Sequence, residues 1–328
     1  MAFSVPKPLH LVPHNTKIQF VPFFKACLSL SSILAVVTVV LLATVGLNFG
    51  IDFRGGLALT VQSNSGPADI AKLRSQVDAL GFGESQIQEF GSPDKVLVRI
   101  SPEDSQGGSA PLHGEELRSK VQGKVAQAIG ENYKVVDGQF IGSTVSRELL
   151  ISAIWALALT CLGIFIYIWF RFEWQFALGA IVALVHDILL TVGLFSALQL
   201  DFDLSIVAAL LTILGYSIND TVVIYDRIRE NLRKFKKMQL ADLLNLSLNE
   251  TLSRTVMTVV STMLALVALL IFGGPVIMGL AFAILFGVLI GTYSSMFIAT
   301  PFLIMIGVKR DWSGNEPIGK KTKAKASV

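Results

Sequence analysis

Six apolar runs decide what this chain can fold into. They cover Ala26–Leu47, Leu149–Phe170, Phe176–Leu200, Leu204–Ile224, Thr255–Phe272 and Val276–Ile306. A helix needs about 20 apolar residues to cross the hydrocarbon core of a bilayer, and each run is close to or above that length. Of the 328 residues, 52% are hydrophobic and only 16% are Asp, Glu, Lys or Arg, against about 25% charged in soluble domains. The expected class is an α-helical membrane protein with six spans. The first run is long for the apolar part of a signal peptide and follows about 25 residues of chain, so it reads as a retained helix.

Orientation follows from where Lys and Arg lie. The N-terminal arm (1–25) carries Lys7, Lys17 and Lys25. The loop after span four (225–254) carries Arg227, Arg229, Arg233, Lys234, Lys236 and Lys237, and the tail (307–328) carries Lys309, Arg310, Lys320, Lys321, Lys323 and Lys325. With six spans these three segments share one side, while the short loop opposite holds Asp201 and Asp203. Both termini are therefore expected in the cytoplasm, with the polar stretch 48–148 outside it and spans two to six in 149–306.

That stretch reads as a small α+β domain. Leu57–Ser63 alternates as a strand does, Ala68–Leu80 has helical spacing, strands follow at Ser85–Phe90 and Lys95–Ile100, then a helix over Gly114–Gly130 and a last strand from Tyr133 to Gly142. The order βαββαβ is that of the ferredoxin-like unit. Ser101–Pro111 has loop composition, and the domain's lone histidine, His113, has no nucleophile or base pattern around it. Cys27 and Cys161 fall in apolar runs and imply no disulfide framework. The four histidines lack metal-ligand spacing, so neither a metal nor a cofactor is expected. Gly314–Lys321 approaches the phosphate-loop pattern, but Lys321 stands where Ser or Thr belongs and no strand precedes it.

The informative residues are the polar ones inside spans, where an ionisable group costs about 2.5–3.5 kcal/mol even on lenient scales. Span three carries His186-Asp187, roughly 16 Å deep at 1.5 Å per residue. Span four carries Asn219-Asp220 close to its cytoplasmic end, and Arg254 opens span five from the same side. Spans four and five are antiparallel, so Asp220 and Arg254 lie at similar depth and can meet inside the bundle. A buried carboxylate that changes protonation with its partner or with water access is the element of a proton relay. Asp187, Asn219, Asp220 and Arg254 are the candidate pathway. Gly279, Gly287 and Gly291 suit close packing of span six, and Thr255, Thr258 and Thr262 make a polar stripe on span five that either faces Asp220 or bonds its own carbonyls.

Several longer stretches carry a resemblance. "GLNFGIDFRGG" (Gly46–Gly56), "LVHD" (Leu184–Asp187), "GYSINDTVVIYDRIREN" (Gly215–Asn231), "TLSRT" (Thr251–Thr255) and "GTYSSMFIATP" (Gly291–Pro301) resemble the SecF branch of the SecD/SecF family of protein-export membrane proteins, which are RND-like permeases. The resemblance implies a bacterial inner-membrane subunit, not an enzyme, that pairs with SecD, joins the SecYEG translocon and uses the proton gradient to help secreted chains across. It implies YajC/YidC and a translocating preprotein as further partners, with membrane lipid around it and no nucleic acid. In that family the span-four Asp and span-five Arg lie on the proton path, which maps to Asp220 and Arg254. The segment Asp52, Phe53, Arg54, Gly55 and Gly56 would join span one to the outer domain, its two glycines permitting a turn or hinge. Protonation of Asp220 would then weaken its pairing with Arg254 and move the outer domain through that joint.

Two competing readings share the architecture. One is an RND-like proton-coupled exporter of small molecules or lipids, for which the outer domain, stretch 48–148, is small for gathering such ligands. The other is an intramembrane aspartyl protease using Asp187 and Asp220, whose usual Gly-x-Gly-Asp is absent, since Asp220 follows Ser217-Ile218-Asn219.

Overall fold

A computed structural model describes residue 13 and residues 16–81, 85–100, 115–130 and 132–308. Residues 101–114, which hold His113 and the expected surface loop, the first part of the N-terminal arm, and the basic tail from residue 309 lie outside the described residues. In chain order the elements are α1 (Phe24–Thr44), β1 (Asn48–Phe49), α2 (Ile51–Arg54), β2 (Gly56–Ser63), α3 (Ile70–Asp78), β3 (Ser85–Phe90), β4 (Ser92–Ile100), α4 (Glu115–Ile129) and β5 (Tyr133–Ile141). There follow α5 (Ser143–Arg171), α6 (Trp174–Leu198), β6 (Asp201–Phe202), α7 (Leu204–Lys234), α8 (Leu240–Phe272), α9 (Gly274–Ser294) and α10 (Thr300–Ile306). Six helical segments among the described residues are long and apolar enough to span a membrane: α1 with the 3₁₀ turn before it, α5, α6, α7, α8, and α9 continuing into α10.

Spans three and four (α6 and α7) form the centre, with about half of their apolar windows buried, against 6–17% for spans one, two and five. Two large apolar clusters fill the bundle, with a smaller one of Val259, Leu266 and Val288 between spans five and six. Towards one end Phe172, Phe176, Tyr225, Ile228, Leu244 and Leu303 pack together. Towards the other Phe53, Phe195, Phe202, Ile206 and Leu210 do so. Between them, α6, α7 and α9 bring buried polar side chains into one layer.

The helices run further than the apolar runs. The expected loop 225–254 contracts to Phe235–Gln239, because α7 continues to Lys234 and α8 starts at Leu240. The reason is amphipathicity. Past Ile224, the residues Tyr225, Ile228, Asn231 and Leu232 are buried against Leu243, Leu244, Ser247 and Leu248 of α8. The basic residues sit on the outer faces of this helical hairpin. Likewise span one begins at Val21 and ends at Thr44, and α5 extends back to Ser143, into the stretch expected to be domain.

Span six is locally irregular. Residues Ser295–Ala299 form a π-helical turn between α9 and α10. Pro301 has no N–H to donate to the carbonyl four residues back, and the helix widens where that bond is missing. The Thr300 hydroxyl satisfies the Ser295 carbonyl at 3.0 Å.

The outer domain is a four-stranded antiparallel sheet of order β3-β4-β2-β5 with α3 and α4 on it. Leu57, Leu59 and Val61 of β2, Val96, Val98 and Ile100 of β4, Leu73 and Val77 of α3, and Val121 and Val125 of α4 form its core. Fully burying a side chain of this size contributes about 1.5–3 kcal/mol. Asp69 caps α3, its carboxylate accepting from Lys72 N at 3.1 Å.

Candidate functional site

The polar layer is built by close approach of span six to span four. At Gly291 an added Cβ would stand 2.9 Å from Ser217 Cβ, and at Gly287 it would collide with Ile213. Glycine at these two positions lets α9 lie directly on α7. Ser294, three residues past Gly291, therefore faces the same interior.

Asp187 sits at the centre of this layer and is fully buried. Its Oδ1 lies 3.1 Å from His186 Nδ1. Its Oδ2 accepts from Ser217 Oγ at 2.7 Å and from Ser294 Oγ at 2.8 Å. One carboxylate thus ties spans three, four and six together, and both of its oxygens are engaged. A second pair extends the layer, Thr221 Oγ1 and Ser295 Oγ at 2.7 Å. His186 Nε2 is buried without a partner among the described residues.

Asp220, one helical turn beyond Ser217, is satisfied differently. It is 4% exposed and feels the charge of Arg254, while the Thr292 hydroxyl donates to Val288 O at 2.8 Å. Asp220 Oδ2 is buried and has no hydrogen-bond partner among the described residues. Asp220 and Arg254 do not close into an ion pair among the described residues: Arg254 is exposed on the face of α8, near enough to act through its field and not by contact. Thr255, beside Arg254, is buried with its hydroxyl unpartnered. The other threonines of the stripe bond their own helix, Thr258 to Thr255 O and Thr262 to Thr258 O, and Thr262 also meets Tyr216 of span four at 3.0 Å. Asn219 is exposed, on a face of α7 shared with Ala208, Thr212 and Gly215, which are exposed as well.

The segment Asp52–Gly56 lies at the outer end of the same span four. Asp52 Oδ2 accepts from Leu204 N at 2.9 Å, where α7 begins, and Asp203 adds a cap to Ile206 N at 3.2 Å. A carboxylate at a helix N-terminus satisfies orphan N–H groups and complements the dipole. Phe53 is buried against Phe49 and Phe202. Arg54 ends α2, and Gly55 (φ 74°) and Gly56 (φ 122°) take backbone conformations that L side chains rarely adopt. The joint is thus a turn seated on span four, not a free tether.

The sequence places Asn219, Asp220 and Arg254 at similar depth and Asp187 deeper, near the middle of span three, but does not single out Ser217, Ser294, Ser295 and Thr221. A signal for Ser294 exists: it repeats the face of Gly287 and Gly291. Ser217 and Thr221, one turn apart, flank Asp220 on a single face of α7.

The segments that match family models are those that build this site and its joint. Residues 121–309 match the model described as protein export membrane protein SecD/SecF, C-terminal, and residues 40–66 match the SecD/SecF GG motif. Protein translocase subunit SecF of Rhodobacter capsulatus is 46% identical over 320 residues, covering 95% of this chain and 96% of its own. That of Rickettsia felis is 43% identical over 305 residues, covering 92% and 96%. Among solved structures, SecDF from Thermus thermophilus, titled a translocon-associated membrane protein, superposes with a TM-score of 0.79 at 32% identity over 91% of this chain. SecDF in its super-membrane-facing form gives 0.63 over 93%. This chain spans 40% of the length of each of those SecDF chains. By the family models, by identity over nearly its whole length and by its fold, the chain is a multi-pass membrane protein of the SecD/SecF protein-export family.

Proposed function

We propose that the chain is an auxiliary subunit of a Sec-type protein translocase, in which proton movement through the bundle drives the outer domain to help a secreted polypeptide across the membrane. The observation that carries this is Asp220: a carboxylate 4% exposed inside a membrane span, with one oxygen unpartnered and an arginine acting on it from the next span. A buried acceptor left open is costly unless something visits it. In this reading the visitor is a proton, and Arg254 biases whether it stays. Asp187, fully engaged by His186, Ser217 and Ser294, keeps spans three, four and six in register beside the moving charge. Asn219 looks out of the bundle.

The working unit is larger than this chain. The SecDF chains it superposes on are more than twice as long, and span four presents Ala208, Thr212, Gly215 and Asn219 on an exposed face. Small and polar residues permit close helix approach in membranes, so this face is the seat proposed for the second, SecD-type half. SecYEG, and YajC/YidC beside it, would be the larger assembly. The charge pattern supports cytoplasmic termini: Arg227, Arg229, Arg233 and Lys234 gather at the inner end of α7, and Asp201 and Asp203 mark the outer loop. No nucleotide site or catalytic constellation enters this scheme.

Export completion in proteoliposomes holding this chain, its SecD-type partner and the translocon tests the reading. An imposed proton gradient should accelerate completion several-fold, and collapsing it with a protonophore should remove the gain. Equal rates with and without the gradient contradict it.

A further inference from the structure

The outer domain is rooted in the bundle by two covalent connections that lie side by side. β2 leaves α2 at Gly55-Gly56, and β5 reaches α5 through Gly142. Gly56 pairs with Ile141 in the sheet, so both roots form a single two-stranded neck. A Cβ at Gly142 would meet nothing within 4 Å. Such a neck seats the domain along one line and by itself leaves its tilt about that line unfixed.

A third attachment lies off the neck. Arg99 stands on β4, opposite Ala58 and so on the far side of β2 from β5. Its Nη1 donates to Asp201 Oδ1 at 2.6 Å and its Nη2 to Oδ2 at 2.8 Å. The pair is largely sheltered, with side chains 13% and 26% exposed. Asp201 belongs to the loop between spans three and four. There it opens β6, which pairs in parallel with β1, and it also accepts from Asn48 Nδ2 at 3.0 Å. Two residues on, Asp203 caps span four. Hence one carboxylate is gripped by the outer domain and by the root of span one, at the outer end of the span that carries Asp220.

We propose that the Arg99–Asp201 pair is a releasable latch: closed, it fixes the outer domain against the outer ends of spans three and four; open, it lets the domain swing on its glycine neck. A guanidinium fork on a carboxylate is specific in direction as well as distance. A small tilt of span four or of the domain breaks both bonds together, so the latch has two states and little between. Cutting the covalent neck would sever the domain, whereas opening the latch only frees it. The role in export rests on the reading in the preceding subsection; the restraint on the domain does not.

The test has a structural arm and a functional arm, both on the full chain with its SecD-type partner. Spin labels at exposed Lys134 on the outer domain and Leu198 at the end of span three report the distance between the two bodies. Arg99→Ala and Asp201→Ala should each broaden that distribution, and the reversal pair R99D with D201R should narrow it again. Distributions unchanged in all variants overturn the latch. For function, R99C with D201C, in a background of Cys27→Ser and Cys161→Ser, is bridged by a short reducible methanethiosulfonate crosslinker. Export should fall at least tenfold when bridged and return with reductant. Broadened distances together with unaffected export in the bridged protein would leave the latch standing and overturn the export reading instead.

Discussion

At the residue scale the two intramembrane carboxylates part company. Asp187 has both oxygens engaged across three helices, and Asp220 has an oxygen without a partner among the described residues. In the proposed function the first is a brace and the second a poised group. Ser217→Ala and Ser294→Ala should each destabilise the bundle by about 0.5–2 kcal/mol, the range of interhelical hydrogen bonds in membranes, seen as earlier unfolding in detergent with the proton flux retained. Asp187→Asn should likewise lower stability but leave flux within a few-fold of the parent. Flux lost as completely as in an Asp220 variant would make Asp187 a carrier. The carboxylates themselves were legible in the sequence because charge in an apolar run is expensive. The serine partners of Asp187 were not, since a serine in a membrane helix bonds its own carbonyl as readily as a neighbouring span; Ser294 does both.

Among elements, span six depends on its glycines and span five on the turns of α8 before its apolar run. Gly291→Val pushes a methyl-bearing side chain into Ser217 and should cost about 1–3 kcal/mol by overpacking, measured in the same detergent unfolding, with a matching loss of Asp187 bracing. At the other end, Asn245 Oδ1 accepts from Phe20 N and Val21 N at 2.8 and 3.1 Å, its Nδ2 donates to Gln19, and Asn249 grips both Ile18 N and Ile18 O. These amides hold the start of span one on the helical hairpin of α7 and α8. Asn245→Ala should release it, read as faster trypsin cleavage at Lys17 and Lys25. Lipid makes apolar runs unambiguous, so all six spans were visible. Amphipathic turns outside the lipid, such as Tyr225–Leu232, look like a charged loop until the partner helix that buries their apolar stripe is known.

For the whole molecule, the βαββαβ order of the outer domain was legible from strand alternation and helical spacing, and the order of elements follows it. How that domain meets the bundle was not. Arg99 and Asp201 are 102 positions apart, and nothing in either neighbourhood announces the other. The same holds for Asp52, whose family motif suggested a hinge but whose carboxylate caps span four. These contacts place a continuous mechanical line from the open oxygen of Asp220, along span four, to its capped outer end, the Gly55-Gly56 joint and the sheet. The electrical part of a proton's passage is about 2.3 kcal/mol per 100 mV, of the order needed to break an ion pair and tilt a helix. The most direct test follows proton flux and export in the same vesicles, for the wild type and for Asp220→Asn, with assembly checked by copurification of the SecD-type partner. The account predicts that the variant assembles normally yet loses both gradient-driven export and proton flux by tenfold or more. An assembled variant that conducts protons and supports export like the wild type contradicts it.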